Sequence, residues 1–375
     1  ITATISDVQS KDVTIPLTIT GTASADIDYS SAFSSKGYST VAGGNGEGAE
    51  LNQFYYPYGI DVDALGNMYI ADRFNHRIVK WEPGATEGVV VAGGNGNGSA
   101  NNQFSYPFDV EVDVSGNLFI TDVENHRVMK WAAGATTGTV VAGSGGSGSF
   151  NGNLNYPYNS FLDSSGNLYV ADHNNHRIMK WAAGATTGIV VAGGNGQGSS
   201  NNQFNYVNDV FVDSSGNIYV SDVNNHRVMI WAPGATEGTV VAGGNGQGAL
   251  LNQFYNPYGL YIDSDDNLFV SDSNNRVMKW MPGAVSGTLV AGTNVSGTEL
   301  DQLAGPRGIN VDSYGNLYIS DSGNNRIQKI TFNPEITIPA GETTGSITFT
   351  GVDDQSDEPT ETIIVTPGTA SNATL

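Results

Sequence analysis

The chain has 375 residues and carries 15 Lys and Arg against 37 Asp and Glu, a formal net charge of −22. That balance excludes nucleic-acid backbone and anionic membrane surfaces as partners, because both reward clustered positive charge. The absence of Cys excludes disulfides, thiol chemistry and Cys-ligated zinc, and no apolar run is long enough for membrane insertion.

The first residues, ITATIS, already read as a strand, with no initiating Met, basic segment or apolar leader. A segment of a longer or processed protein is therefore expected. Two strands, Ile1–Ile5 and Val13–Thr20, precede the loop G-T-A-S-A-D-I-D-Y. From Tyr38 a repeat begins. A V-A-G triplet starts at Val41, Val91, Val141, Val191, Val241 and Val290. A second mark, D-x-x-[GD]-N-[LIM]-[YF]-[IV]-x-D, starts at Asp63, Asp113, Asp163, Asp213, Asp263 and Asp312. A third, N-H-R, stands at Asn75, Asn125, Asn175 and Asn225 and becomes N-N-R at Asn274 and Asn324.

Each copy holds four strand-like runs separated by Gly- and Asn-rich turns, with no helical periodicity between them. In the second copy they are Asp109–Asp113, Asn117–Thr121, Arg127–Trp131 and Gly138–Ala142. Six such units predict an all-β fold, a six-bladed β-propeller. The last unit supplies only three strands, so Tyr38–Gly43 is expected to add its missing outer strand and close the ring. After the repeat come the strands Ile336–Ile338, Ser346–Thr350 and Thr362–Thr366, the last two separated by V-D-D-Q-S-D-E-P-T-E. Neither flank can bury a core alone, whereas together they suffice for one small β-sandwich. The expected domains are therefore 1–36 and 333–375, two halves of a sandwich, around a propeller at 37–332.

The motif D-x-x-G-N-[LI]-[YF]-[VI]-[AST]-D-x-x-N-H-R-[IV] resembles the NHL-repeat family and covers most of the chain. The flanks resemble a Calx-β domain through Gly21–Tyr29, the A-G-E-T segment after Ile338, and D-D-x-x-x-E-x-x-E from Asp353 to Glu361. This second resemblance implies a propeller inserted into a loop of a Calx-β-like sandwich. It also places Asp28, Asp353, Asp354 and Glu358 on that family's calcium positions. With Glu361 they form a metal-site candidate, since calcium takes six to eight oxygen ligands; the alternative is a solvated acidic edge.

Within the repeat, His76, His126, His176 and His226 occupy equivalent places in separate blades and cannot converge on one metal. Each, with its following Arg, is read as a brace on the turn. His173 breaks the pattern and is read as a pocket or surface residue. The loops leading into each blade's first strand read Y-P-Y-G, Y-P-F-D, Y-P-Y-N, Y-V-N-D, N-P-Y-G and G-P-R-G. They place Tyr58, Phe108, Tyr158, Asn208, Tyr258 and Arg307 around the channel mouth, with Asp109, Asn159 and Asp209 next in line. Arg73 adds to Arg307 as a basic corner opposite Asp109, Asn159, His173 and Asp209. Aromatic faces with Asp and Asn acceptors suit a sugar ring or a short peptide; the alternative is an aromatic plug. The Gly-rich loops lack the helix start and Lys of a phosphate site, and no catalytic signature is present.

These readings lead to an expected function without catalysis: a binding or adhesion module of a larger bacterial surface protein, outside the cell, taking a glycan or peptide at the propeller mouth. Two alternatives stand beside it. One is a structural subunit that self-associates into a filament or layer by strand addition. The other is a lyase-type propeller, for which the usual several zinc-binding histidines are missing because only His173 lies outside the repeated positions.

Overall fold

The computed structural model describes residues 36–332 in full and, outside them, strand backbone alone at 2–4, 13–21, 29–30, 33–35, 333–338, 344–346, 350–351 and 363–367. Asp28, Asp353, Asp354, Glu358 and Glu361, the expected calcium ligands, lie outside the described residues.

The repeat folds into six antiparallel sheets, each a blade. Blade one runs Pro57–Val62, Met68–Asp72, Arg77–Trp81 and Val89–Gly93, innermost strand first. The next four blades repeat this order with inner strands Pro107–Val112, Pro157–Leu162, Val207–Val212 and Pro257–Ile262. The sixth takes Pro306–Val311, Leu317–Asp321 and Arg326–Ile338 from the chain's end and Phe33–Gly43 from its beginning. The Thr40 hydroxyl meets Gln328 Oε1 at 3.2 Å, and the Gly44 N–H donates to Asn325 O at 3.1 Å. Ala42, Tyr318 and Ile327 then share a core with Ile60, Ile70 and Trp81 of blade one. The ring closes as its missing strand requires.

Position in the sheet explains each blade's gradient. The second strand, Met68–Asp72 in blade one, is buried throughout because neighbouring strands pair with it on both sides and neighbouring blades cover both faces. The outermost strand, Val89–Gly93, is half-exposed although Val89–Ala92 is apolar, because only Ala92 is covered. Between blades, Phe104 packs 5.0 Å from Trp131 against Ile78 and Ala92 of the preceding blade. Burial of one such aromatic contributes roughly 1.5–3 kcal/mol. The first turn is side-chain chemistry: Asp63 Oδ1 accepts the N–H groups of Leu65 and Asn67, both at 2.9 Å. The Gly of V-A-G is required twice over. Gly93 has φ +71°, and a Cβ there would lie 2.6 Å from the His76 carbonyl.

The second and third marks form one buried unit. Asp72, fully buried, accepts Arg77 Nε at 2.7 Å, Asn75 Nδ2 at 2.8 Å and the Tyr55 N–H at 2.8 Å. The guanidinium also donates to the carbonyls of Ala49 and Glu50, at 2.7 and 2.9 Å. The Arg braces its turn as expected. The His does something else. It takes a left-handed conformation, φ 54° at His76, and its Nδ1 accepts the Tyr106 N–H of the next blade at 3.2 Å. His126, His176 and His226 repeat this link. Asn275 and Asn325 replace the imidazole with an amide oxygen, accepting Gly305 N–H at 2.9 Å and Tyr56 N–H at 2.8 Å. The last of these joins blade six to blade one.

The chain divides into two compact units, one of Thr40–Asn310 with Tyr318–Gln328, the other of Val311–Leu317 with the two flanks. In the second unit Val13 pairs with Ile338 and Leu17 with Pro367, so strands of the two flanks are antiparallel partners.

Candidate functional site

The six inner strands surround a channel, and their side chains form three levels. The level nearest the lead-in loops holds the residues singled out in the sequence. Tyr58 and Phe108 stack at 4.4 Å, Phe108 meets Tyr158 at 4.5 Å, and Tyr158 stacks on His173 at 3.7 Å. The Tyr58 hydroxyl reaches across the ring to Asn208 Oδ1, 3.1 Å away. Burial holds the Tyr58 phenol protonated by raising its pKa well above the usual value. His173 Nδ1 lies 2.6 Å from the Val207 carbonyl, to which it donates, and burial lowers its pKa to about 4. It is a neutral stacking residue.

The structure therefore divides the expected ligand-binding set. Tyr58, Phe108, Asp109, Asn159, Asn208 and Asp209 are buried, while Arg73, Tyr158, His173, Tyr258 and Arg307 stay partly exposed. Tyr58 and Phe108, with Asn208, fill the channel, and the five partly exposed groups are what a ligand from this side meets. Arg307 lies 3.6 Å over Tyr258 and 5.7 Å from the Tyr58 ring, and Arg73 lies 5.9 Å from Tyr58. The basic corner exists, built around one aromatic ring.

The middle level is acidic. Asp109 accepts the Ser160 N–H at 2.9 Å, and Asp209 accepts the Leu260 N–H at 2.7 Å, each from the following blade. Inner strands have no ladder partner on the channel side, so their free N–H groups need acceptors. Blades five, six and one have glycine at this level, and a Cβ at Gly308 would lie 2.6 Å from Tyr58 O. Burial raises Asp109 to about 8, aided by the charge of Asp209, which burial raises to about 7.

The third level, nearest the turns, escaped the sequence reading. It comprises Asp61, Glu111, Phe161, Phe211, Tyr261 and Asn310, all partly exposed. Phe161 and Phe211 meet at 4.7 Å and Phe211 and Tyr261 at 5.5 Å, giving an aromatic half. The other half is polar. Asp61 accepts the Val62 and Val112 N–H groups, each at 2.8 Å, and Asn310 Nδ2 at 2.9 Å. Burial pushes Asp61 up to about 6 against those hydrogen bonds. Glu111 is raised well above the carboxylate range by burial and then by the charge of Asp61. Burial and their mutual charge thus act on both carboxyls in the same direction. A cavity of about 720 Å³ between blades two and three has Glu111, Lys130, Asp163 and Trp181 in its wall. The signal was present as carboxylates at the fifth inner-strand position of the first two blades. A bulge hid it: pairing shifts between Pro57 and Ile60, so simple alternation does not give the facing.

Residues 110–356 match the family described as SMP-30/gluconolactonase/LRE-like region. The chain belongs to that family. No curated protein matches it. Among solved structures it resembles a Bacteroides thetaiotaomicron protein of unknown function, with TM-score 0.62 and 18% identity over 79% of this chain and 76% of that one. An auxiliary nutrient binding protein from the same organism gives TM-score 0.60 and 14% identity over 79% and 76%. A gluconolactonase from Xanthomonas campestris gives 0.55 and 14% over 74% and 86%. At these identities the likenesses show a shared propeller fold. Family membership overturns the expectation that the chain is not an enzyme, since the family's own description carries a lactonase. That expectation came from looking for histidines and short motifs, whereas the titratable groups here are carboxylates on separate strands. The NHL-like propeller stands as a member of this family; the Calx-β reading of the flanks has no counterpart in the comparisons.

Proposed function

We propose that this chain is a propeller hydrolase that opens a ring ester with water at the turn end of its channel. The observation that carries this reading is the pair of raised carboxyls Asp61 and Glu111 at one level with Phe161, Phe211 and Tyr261. Asp61, ionised and fixed by three donated hydrogen bonds, takes a proton from water as the oxygen adds to the carbonyl. Glu111 gives its proton to the ring oxygen as the C–O bond breaks, leaving a hydroxy acid. The aromatic half packs against the ring's apolar face. The lactonase in the family's description supports the reaction class.

The test is a panel of five- and six-membered sugar lactones followed by acid release. Wild type should outpace buffer, and Glu111→Gln should lose most of that rate while melting normally. A wild-type chain no faster than buffer on every lactone would sink the proposal.

The antiparallel pairing of flank strands supports a second reading: 1–36 and 333–375 form one module, Calx-β-like, with calcium at Asp28, Asp353, Asp354, Glu358 and Glu361. Presentation of that module at a cell surface is part of the same proposal.

A further inference from the structure

The chain has eight arginines, and six of them, in the N-H-R and N-N-R motifs, each pair with a buried Asp. The other two, Arg73 and Arg307, make no ion pair with any described residue, in a protein with 37 acidic side chains. Both stand at the lead-in end of the channel. Arg73 lies 4.3 Å over Phe108 and 4.6 Å over Phe74, and Arg307 lies 3.6 Å over Tyr258. Aromatic rings thus cover the guanidinium faces, while the edges carry the unused hydrogen-bonding capacity. Arg73 Nε and Arg307 Nε and Nη1 are buried and have no acceptor. Arg307 Nη2 donates to the Tyr56 hydroxyl at 3.3 Å, and Arg307 also hydrogen-bonds Tyr258, so its partners are phenols rather than carboxylates.

Burying a cation without an acceptor is costly, and two like charges near one Tyr58 ring add to that cost. A fold that pairs six arginines with carboxylates has the means to pair eight. We propose that Arg73 and Arg307 form an anion site that takes the carboxylate of a small ring-bearing organic acid, with the ring against Tyr158, His173 and Tyr258. A planar carboxylate fits guanidinium edges in their own plane. A single negative charge also fits better than a phosphate dianion, because Asp109 and Asp209 lie one level below. This site is independent of the reaction proposed at the turn end, which uses neither arginine.

The experiment is calorimetric titration of the full chain with two matched pairs, glucuronate against glucose and benzoate against benzyl alcohol, and with inorganic phosphate. At least one carboxylate should bind about tenfold or more tightly than its neutral partner, and added salt should weaken it. Arg307→Gln and Arg73→Gln should each reduce that affinity at least about tenfold. The melting temperature without ligand should hold or rise, since an unpaired buried charge is removed. If Arg307→Gln does not fold, Arg73→Gln in the loop decides the matter alone. The proposal is overturned if neither carboxylate outbinds its neutral partner, if phosphate outbinds both carboxylates, or if both variants bind as wild type does.

Discussion

The two ends of the channel are built from the same six strands and differ in almost every property. At the lead-in end Tyr58 and Phe108 stack, the Tyr58 hydroxyl spans to Asn208, and the charges are guanidinium. At the turn end every side chain is partly exposed, and the charges are the carboxyls of Asp61 and Glu111. Between them lies the acid layer of Asp109 and Asp209. A propeller strand running along the axis presents different residues at each level, so one short strand can serve a basic end and an acidic one. Residue type at one position in each blade sets the chemistry of a whole level.

The strongest way to break this comparison is to break the strand's support. Arg127→Met removes the buried partner of Asp122, held at 2.7 Å. It should cost about 3–5 kcal/mol, because an uncompensated buried carboxylate remains. Blade two supplies Phe108 and Asp109 to the upper levels and Glu111 to the lower one, so both ends should fail together. Chemical denaturation measures the loss, and a cost under about 1 kcal/mol would show that the brace contributes little.

A narrower break touches the turn end alone. Glu111→Gln should lower kcat on a responsive lactone by about a hundredfold or more, the range expected for a lost general acid. With these roles, wild-type activity should rise as Asp61 ionises and fall again as Glu111, whose pKa burial also raises, loses its proton. In the variant the alkaline fall should vanish. A pH profile unchanged in shape would remove Glu111 from the reaction.

At the other end, Tyr58→Phe keeps the stacked ring and deletes the link to Asn208. About 1 kcal/mol of stability should be lost, with lactone turnover unchanged. Loss of turnover instead would show that the two ends communicate.

The smallest effect concerns neither end. His76, His176 and His226 must be neutral at Nδ1 to accept the next blade's N–H, and burial holds their pKa values below 6.5. With the folded value depressed, their contribution is complete above the unfolded value of about 6.5. It is lost as pH falls through the folded value. Replacing all three by Asn, as blades five and six already do, should flatten the melting-temperature curve between about pH 6.5 and 4. Asp61, Asp109 and Asp209 have raised values and act in the opposite sense, losing stability as pH rises. Comparison of variant with wild type isolates the histidines, and parallel curves would show that they do not titrate there.

Much of this was legible in the chain. Spacing of V-A-G and N-H-R gives the blade number, and a last unit one strand short gives the closure. The Asp-first turns and the Arg brace follow from residue type, because each is a local contact within one repeat. The His link between blades was not legible. Its partner is a backbone N–H thirty residues on, and a backbone group leaves no mark in sequence.

The candidate site divides along the same line. Sequence alone determined which residues occupy the lead-in ends of the inner strands, since Pro and Gly fix where those strands begin. Only tertiary structure decided that Tyr58 and Phe108 are packed shut while Tyr158 and Tyr258 are not, because that depends on which rings meet across the axis. Only tertiary structure brought Asp61 and Glu111 to a single level and raised both carboxyls. A pKa is set by burial and by neighbouring charge, and both are properties of the closed ring rather than of any one repeat.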